Sequence, residues 1–508
     1  MWRFEIVGYP LFQRGDVNAF FSLMLDNITN LVIFSMLLAT FGFPKEIVYG
    51  GMIPGTALGI LVGNLMFSYL ALRLSKKTGN LNVTAMPLGI DTVSLFGYTL
   101  GILVPVWTAT GDAVFTWQVG VATIVLTGLI KTIFSLSSGW IKKLFPSAAL
   151  LGSIAGIALL LIAFIPSMAV FESPIVGMVS MGIIFVFFFG RKREFLGVPG
   201  ALWAVAAGTA VYYFLLHIDP SISGSHLSGA IYPGLHVPMP VIAPLGAYAS
   251  AVDYASLIIP FSIANVVGGI DVTESAEAAG DAYDVRSIIF TEGVTTILAG
   301  LFGGVLQTTP YIGHPAYKKM GGRVGYSILN GLVVGTCGMF GVFSLIANYL
   351  PQQVISPILI FIGIEITAQA FQRSPQHHSA AVAISFIPSV AYLLSITIDQ
   401  LGIDLRSLST KAISSIATIN LLANGFIVTA MIWGAALASL IDEKPQKVSL
   451  FLSLGAIFSL FGLMHSPLEH GALFLPWSIN DKTPIYIASA YALLSLLVIS
   501  SGKGSKEG

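Results

Sequence analysis

The sequence predicts an all-α polytopic membrane protein built as a seven-plus-seven inverted repeat, with two broken strand–helix segments and two further C-terminal spans. Three observations predict it. The 508 residues are 55% hydrophobic and only 9% charged. An ordinary soluble domain carries about 25% charged residues, so lipid must act as part of the solvent. Some sixteen stretches approach the length of a spanning helix, which needs roughly 20 apolar residues. Two of these stretches, the third and the tenth, are interrupted by proline and glycine in the same way, and a repeat of seven spans is odd, so its second copy must be inverted.

The spans read as 18–41, 47–72, 88–108, 117–138, 146–166, 173–190, 197–217, 254–279, 286–304, 313–320 with flanks, 325–348, 353–371, 379–398, 411–440, 447–464 and 475–500. Met1 to Asn18 is mixed polar and has no apolar run of the signal-peptide kind, so the span near Phe20–Phe43 is expected to be an uncleaved anchor. Lys and Arg set the orientation. With the N-terminus in the cytoplasm, Arg73, Lys76, Lys77, Lys142, Lys143, Arg191, Lys192, Arg193, Lys318, Lys319, Arg323, Lys444, Lys447, Lys503 and Lys506 all fall inside. The long loop 218–253 carries no Lys or Arg and falls outside; Arg406, Lys411 and Lys482 break the rule. Both termini are therefore expected in the cytoplasm, and the lipid bilayer is the first partner. A net charge of zero gives no basic surface for nucleic acid. Cys337, the one cysteine, sits in an apolar run and reads as a small core residue.

The two interrupted stretches are Asn82-Val83-Thr84-Ala85-Met86-Pro87-Leu88-Gly89-Ile90-Asp91 and Gly303-Gly304-Val305-Leu306-Gln307-Thr308-Thr309-Pro310-Tyr311-Ile312-Gly313-His314-Pro315. Pro87, Pro310 and Pro315 lack a backbone donor and break a regular helix. Irregular backbone at membrane depth survives only where protein or a cavity satisfies its polar groups. Paired interruptions in corresponding positions of two halves point to a transporter binding site. The expectation is two half-strand, half-helix segments that meet near the midplane, with both helix amino ends on one cavity. A fainter echo, Pro146…Gly156 against Pro351…Gly363, supports the repeat.

Phe290-Thr291-Glu292-Gly293, Gly300-Leu301-Phe302-Gly303, Thr308-Thr309 and Gly321-Gly322-Arg323-Val324-Gly325 follow in the order found in nucleobase permeases. Over roughly residues 17–440 the chain resembles the nucleobase:cation symporters, also called nucleobase–ascorbate transporters, of the xanthine/uracil and hypoxanthine/guanine permease type. Trp117-Gln118 and Pro146-Ser147 look like the hypoxanthine/guanine branch. The resemblance implies a core domain (1–140 and 251–350), a gate domain (141–250 and 351–441) and an elevator-like movement; 442–508, with two additional helices, has no place in that pattern. It implies a proton- or sodium-coupled permease of a nucleobase in a plasma (bacterial inner) membrane, with no cofactor, and it leaves a homodimer open. Two family carboxylates are replaced here: one position is Asn265, the other Gly313 or Ile312, with His314 beside it.

Ionisable groups inside spans cost about 2.5–3.5 kcal/mol each on insertion scales, so each needs a reason. Asp271 and Glu274 share a helical face; Asp271 either carries proton or sodium coupling or anchors core helices by hydrogen bonds. Glu277, Asp281 and Asp284 read as a solvated helix end. Asp91, followed by Thr92, either caps the half-helix or faces the solute where that helix begins. Thr308, Thr309 and Tyr311 are candidate ligands on the second broken segment, and His314 is either a titrating group or a satisfied core histidine. Glu365 divides between binding and helix packing, and Asp26, Asn27 and Asn30 read as interhelical glue. The nearest Lys and Arg to the second broken segment are read as Lys318, Lys319 and Arg323 at its cytoplasmic edge. With carboxylates at Asp91 and Asp271 and no cation close by, the expected solute is a neutral, planar, hydrogen-bonding molecule. The alternatives are an anion transporter (sulfate, bicarbonate or dicarboxylate) of the same general fold and a channel. An intramembrane enzyme finds no support in a His-Glu-x-x-His or Gly-x-Ser-x-Gly motif, and His377-His378 falls in a loop without an intramembrane carboxylate nearby.

Overall fold

The computed structural model describes residues 8–136, 145–190, 194–195, 198–219, 232–311, 313–401, 408–468 and 471–504. Lys142, Lys143, Arg191, Lys192, Arg193, Ile312, Arg406, Lys506 and residues 220–231 of the expected outside loop lie outside them. Among the described residues, nine helices are long and apolar enough to cross a membrane, and two bent helix pairs bring the number to eleven. The chain is a multi-pass membrane protein.

Chain contacts divide it into two compact units. The first comprises Met1–Lys142, Leu227–Ala251 and Phe261–Tyr349. It holds α1 (Arg14–Thr40), α2 (Lys45–Thr78), β1 (Leu88–Ile90), α3 (Thr92–Thr110) and α4 (Ala113–Ser135). The second comprises Lys143–His226, Val252–Pro260 and Leu350–Gly508. It opens with α5 (Ser147–Glu172), α6 (Pro174–Phe188), the short paired strands β2 (Glu194–Phe195) and β3 (Val198–Pro199), and α7 (Gly200–Ile218). A short helix, α8 (Leu245–Asp253), follows inside what the sequence reads as loop. Then come α9 (Ala255–Ala278), α10 (Val285–Leu301), β4 (Thr308–Pro310), α11 (His314–Lys319), α12 (Gly325–Met339) and α13 (Val342–Tyr349). The second unit ends with α14 (Gln352–Arg373), α15 (Gln376–Gln400), α16 (Thr410–Ala423), α17 (Phe426–Ile441), α18 (Pro445–Leu460) and α19 (Thr483–Gly504).

Local chemistry explains the irregularities. Three spans contain a wide π-helical turn, Val48–Met52, Thr99–Leu103 and Ala158–Phe164, and each meets a proline two residues on, Pro54, Pro105 and Pro166. Proline offers no N–H and clashes with the carbonyl four residues back, and a widened turn absorbs both defects. Two stretches read as single spans are bent instead. α12 and α13 meet at 80°, and α16 and α17 at 68°. The bends fall at Gly341 and Gly425, whose φ of 68° and 73° is left-handed backbone that favours glycine. Pro146 and Pro351 each precede a helix, α5 and α14, in extended backbone, φ −60° and −63°, ψ 144° and 142°, as the fixed proline φ favours.

In the first unit, α4 and α10 pack at glycine contact distance. A Cβ on Gly128 would stand 2.8 Å from the Gly293 carbonyl, and one on Gly293 would stand 2.8 Å from the Thr132 nitrogen. Small residues let membrane helices approach this closely. In the second unit, Trp433 of α17 and His465 both bond the Tyr491 hydroxyl of α19, at 2.6 and 3.0 Å, tying the last two helices to the body of that unit.

Candidate functional site

β1 and β4 are antiparallel, pairing Leu88 with Pro310, Gly89 with Thr309 and Ile90 with Thr308. Both broken segments are therefore strand and helix, and they meet. Their backbone groups are accounted for, as membrane depth requires. The ladder extends through Asp91 N–H to the Gln307 carbonyl (3.1 Å) and Tyr311 N–H to the Pro87 carbonyl (2.8 Å). Side chains finish it. Asn27 Oδ1 accepts from Ile90 N–H at 3.1 Å, Asn64 Nδ2 donates to the Leu88 carbonyl at 3.2 Å, and Lys131 Nζ donates to the Thr308 carbonyl at 3.3 Å.

At the Ile90–Thr308 end, Asp91 organises a polar cluster. Its Oδ2 accepts from the Ser94 N–H, from Asn265 Nδ2 and from Gln307 Nε2, each at 3.1 Å. Asp91 thus caps α3 and also gathers α9 and the residue before β4. Thr92 Oγ1 donates to Asn30 Oδ1 at 3.0 Å, and Asn30 Nδ2 reaches Asp26 at 3.3 Å. Tyr311 crosses the ladder to bond Asp26 and the Ile90 carbonyl. It can do so because Gly89 has no side chain: a Cβ there would lie 2.1 Å from the Tyr311 hydroxyl oxygen. Buried acceptors are left over. Among the described residues, Gln307 Oε1 and Thr308 Oγ1 have no hydrogen-bond partner.

Behind β4 lies a pair that the sequence reading missed. Lys131 of α4 and Glu292 of α10 form an ion pair at 2.7 Å with both side chains fully buried. This corrects the expectation that no cation stands closer than the cytoplasmic edge. The signal was present as one lysine in the apolar span four and one glutamate in span nine; two lone opposite charges at membrane depth point to each other.

His314 is not in the Asp91 cluster. It lies at the opposite, Leu88–Pro310 end of the ladder, where Nε2 is 3.1 Å from the Thr84 carbonyl and 3.3 Å from Asp281 Oδ2. Asp281 is buried, not solvated as its helix-end position suggests. It accepts from the Thr84 N–H at 3.1 Å and from Lys318 Nζ at 2.6 Å. Burial raises its carboxyl pKa, and the bonds from His314, Lys318 and Thr84 outweigh that, holding it below the usual range. The amino ends of α3 and α11 accordingly leave opposite ends of the three-pair ladder, because antiparallel pairing sends the two helices out in opposite directions. Asp271 is half-buried on α9, six residues beyond Asn265, about 9 Å along the axis. The carboxylate that Asn265 meets is Asp91. Thr309 faces Gly89 in the ladder. Glu365 belongs to the second unit, where its Oε1 accepts from Gln369 at 3.2 Å.

The fold of this chain is of the class of SLC26-type and related transporter transmembrane domains. Over 82% of its length it superposes on the transmembrane domain of a cyanobacterium bicarbonate transporter, BicA, covering 97% of that chain with TM-score 0.53 at 13% identity. Murine Slc26a9, an anion transporter in the inward-facing state, matches with TM-score 0.54 at 14% identity over 76% of this chain and 68% of its own. In sequence, the nucleobase transporter PlAzg2 of Paenibacillus larvae subsp. larvae is 22% identical over 415 residues, 76% of this chain and 74% of that protein. The bicarbonate transporter BicA of Picosynechococcus sp. is 20% identical over 303 residues, and the chain spans about half (51%) of its length. No protein-family model matches the chain.

Proposed function

We propose that this chain is a secondary active transporter of a small polar solute, working by an elevator-like mechanism, with both termini in the cytoplasm. In this reading 1–140 and 251–350 form the core domain, 141–250 and 351–441 the gate, and 442–508 an addition of two helices. A reporter fused at residue 235 reads the orientation: cytoplasmic placement there overturns it.

For the solute, the neutral, hydrogen-bonding class of nucleobase type is favoured by one observation. The amino end of α3, a natural seat for an anion, is already capped by Asp91 of the protein itself. Lys131 adds no net positive charge, because Glu292 pairs with it. The unpartnered oxygens of Gln307 and Thr308 are acceptors that suit the N–H groups of a base edge. The carboxylate surplus suits a proton or sodium ion as the coupled species.

A second reading, an anion carrier, is favoured by the likeness to BicA in both sequence and fold and by the presence of a buried lysine. Uptake into proteoliposomes under a proton or sodium gradient, competed with nucleobases, ascorbate, sulfate, bicarbonate and dicarboxylates, separates the two. Competition by a nucleobase is expected. Tight binding of an anion with no response to any nucleobase overturns the first reading in favour of the second.

A further inference from the structure

The His377-His378 pair has a carboxylate partner, Asp442, 64 residues beyond His378 in sequence. His377 and His378 lie on the 3₁₀ turn Gln376–His378 that opens α15, and Asp442 ends α17. Both imidazole Nε2 atoms address one oxygen, Asp442 Oδ1, at 3.3 Å from His377 and 2.7 Å from His378. The rings stand 4.3 Å apart at 64°. Lys444 Nζ holds the other oxygen, Oδ2, at 2.9 Å. All four residues belong to the second unit.

We propose that His377, His378 and Asp442 form a binding site for a divalent transition-metal ion of the zinc class. The donor set decides the class. Two imidazole nitrogens and one carboxylate oxygen suit Zn²⁺, Co²⁺ or Ni²⁺, whereas Mg²⁺ and Ca²⁺ prefer oxygen alone. The spacing is close to what such an ion needs. Bonds of about 2.0–2.1 Å in a tetrahedron place neighbouring ligands about 3.3 Å apart. The His377 separation of 3.3 Å already fits, and the His378 separation of 2.7 Å must open by about 0.6 Å. Lys444 keeps the carboxylate monodentate, leaving Oδ1 for the ion. The fourth position opens to water, since the His377 side chain is 61% exposed.

The surroundings also set the strength. On ligation through Nε2 each ring carries its proton on Nδ1. For His378 that atom is buried and has no hydrogen-bond partner among the described residues, so the outer hydrogen bond that usually orients and enriches a metal-bound histidine is missing there. The affinity therefore falls short of a structural zinc site. The ion would act as a reversible staple between the start of α15 and the end of α17.

The test uses the full-length protein in detergent, stripped of metal and titrated with Co²⁺ while the visible absorption is followed. One Co²⁺ per chain with the intense band of a four-coordinate site is expected, displaced by Zn²⁺ and unaffected by Mg²⁺ or Ca²⁺. Asp442→Asn and His378→Gln should each weaken binding about tenfold or more, since a direct ligand matters at least as much as an outer partner. His377→Gln should do the same at a largely exposed position, and it decides the matter if the other variants melt early without metal. Absence of the band, or Co²⁺ affinity unchanged in His377→Gln, overturns the site.

Discussion

Replacing Glu292 with Gln should destabilise the protein more than any single change at an exposed residue. Lys131 and Glu292 are both fully buried, 2.7 Å apart, and each is the other's counter-ion. Removing one partner of such a pair leaves an uncompensated charge in a medium that cannot solvate it, at a cost of about 3–5 kcal/mol. At 1.36 kcal/mol per power of ten, that is roughly two to nearly four powers of ten in the folding equilibrium. Lys131→Met should cost a similar amount by stranding Glu292. The double variant Lys131→Met/Glu292→Leu removes both charges and should recover most of the loss, because a buried ion pair exchanged for apolar groups of similar size is often neutral. It still loses the bond from Lys131 to the Thr308 carbonyl, worth about 1.5–3 kcal/mol for a charged donor, so recovery should be incomplete. Denaturant unfolding of the purified variants in mixed micelles, arranged as a double-mutant cycle, measures these terms. A double variant as unstable as the sum of the singles would refute the pairing, and singles within about 1 kcal/mol of the parent would refute its burial away from water.

Three further outcomes are expected elsewhere in the chain. Gly89→Ala should push Tyr311 off Asp26, because the added Cβ would fall 2.1 Å from its hydroxyl oxygen. Uptake should fall at least tenfold (about 1.4 kcal/mol) with the protein still folded, and unchanged uptake would show that the Tyr311 bridge is dispensable. Asp271→Asn is expected to abolish gradient-driven accumulation while leaving some exchange; unaltered pH and sodium dependence would return Asp271 to a packing role. The third concerns Asp281, whose pKa is lowered from the ordinary 3.8. A depressed carboxyl contributes stability that is present above its unfolded value and is lost as pH falls through its folded value. The parent should therefore lose stability below about pH 4 more steeply than Asp281→Asn, measured by thermal melts across an acid series, and parallel acid limbs would remove Asp281 from the account.

Much of the fold is legible in the chain because the membrane asks a local question. Each of the sixteen apolar stretches coincides with a helix, a bent helix pair or a strand–helix unit. Pro87, Gly89 and Pro310 mark the strands by what they deny a helix, a backbone donor or a Cβ. Other features needed neighbours. The bends at Gly341 and Gly425 sit inside stretches whose hydropathy is continuous. His314 reads as central because it follows the broken segment, and antiparallel pairing carries it to the far end of the ladder from Asp91.

Apolar length, the paired interruptions and the positions of polar residues along each span are properties of the sequence by itself, since hydropathy is summed over neighbours in the chain. Which charges meet is decided only in the tertiary structure. Lys131 and Glu292 are 161 residues apart, and Asp91 and Asn265 are 174 apart. They come together because Gly128 and Gly293 let α4 and α10 touch and because two three-residue strands set the register. A charge in an apolar span announces only that a partner must exist. The low dielectric makes that partner obligatory, and the packing of the helices selects it.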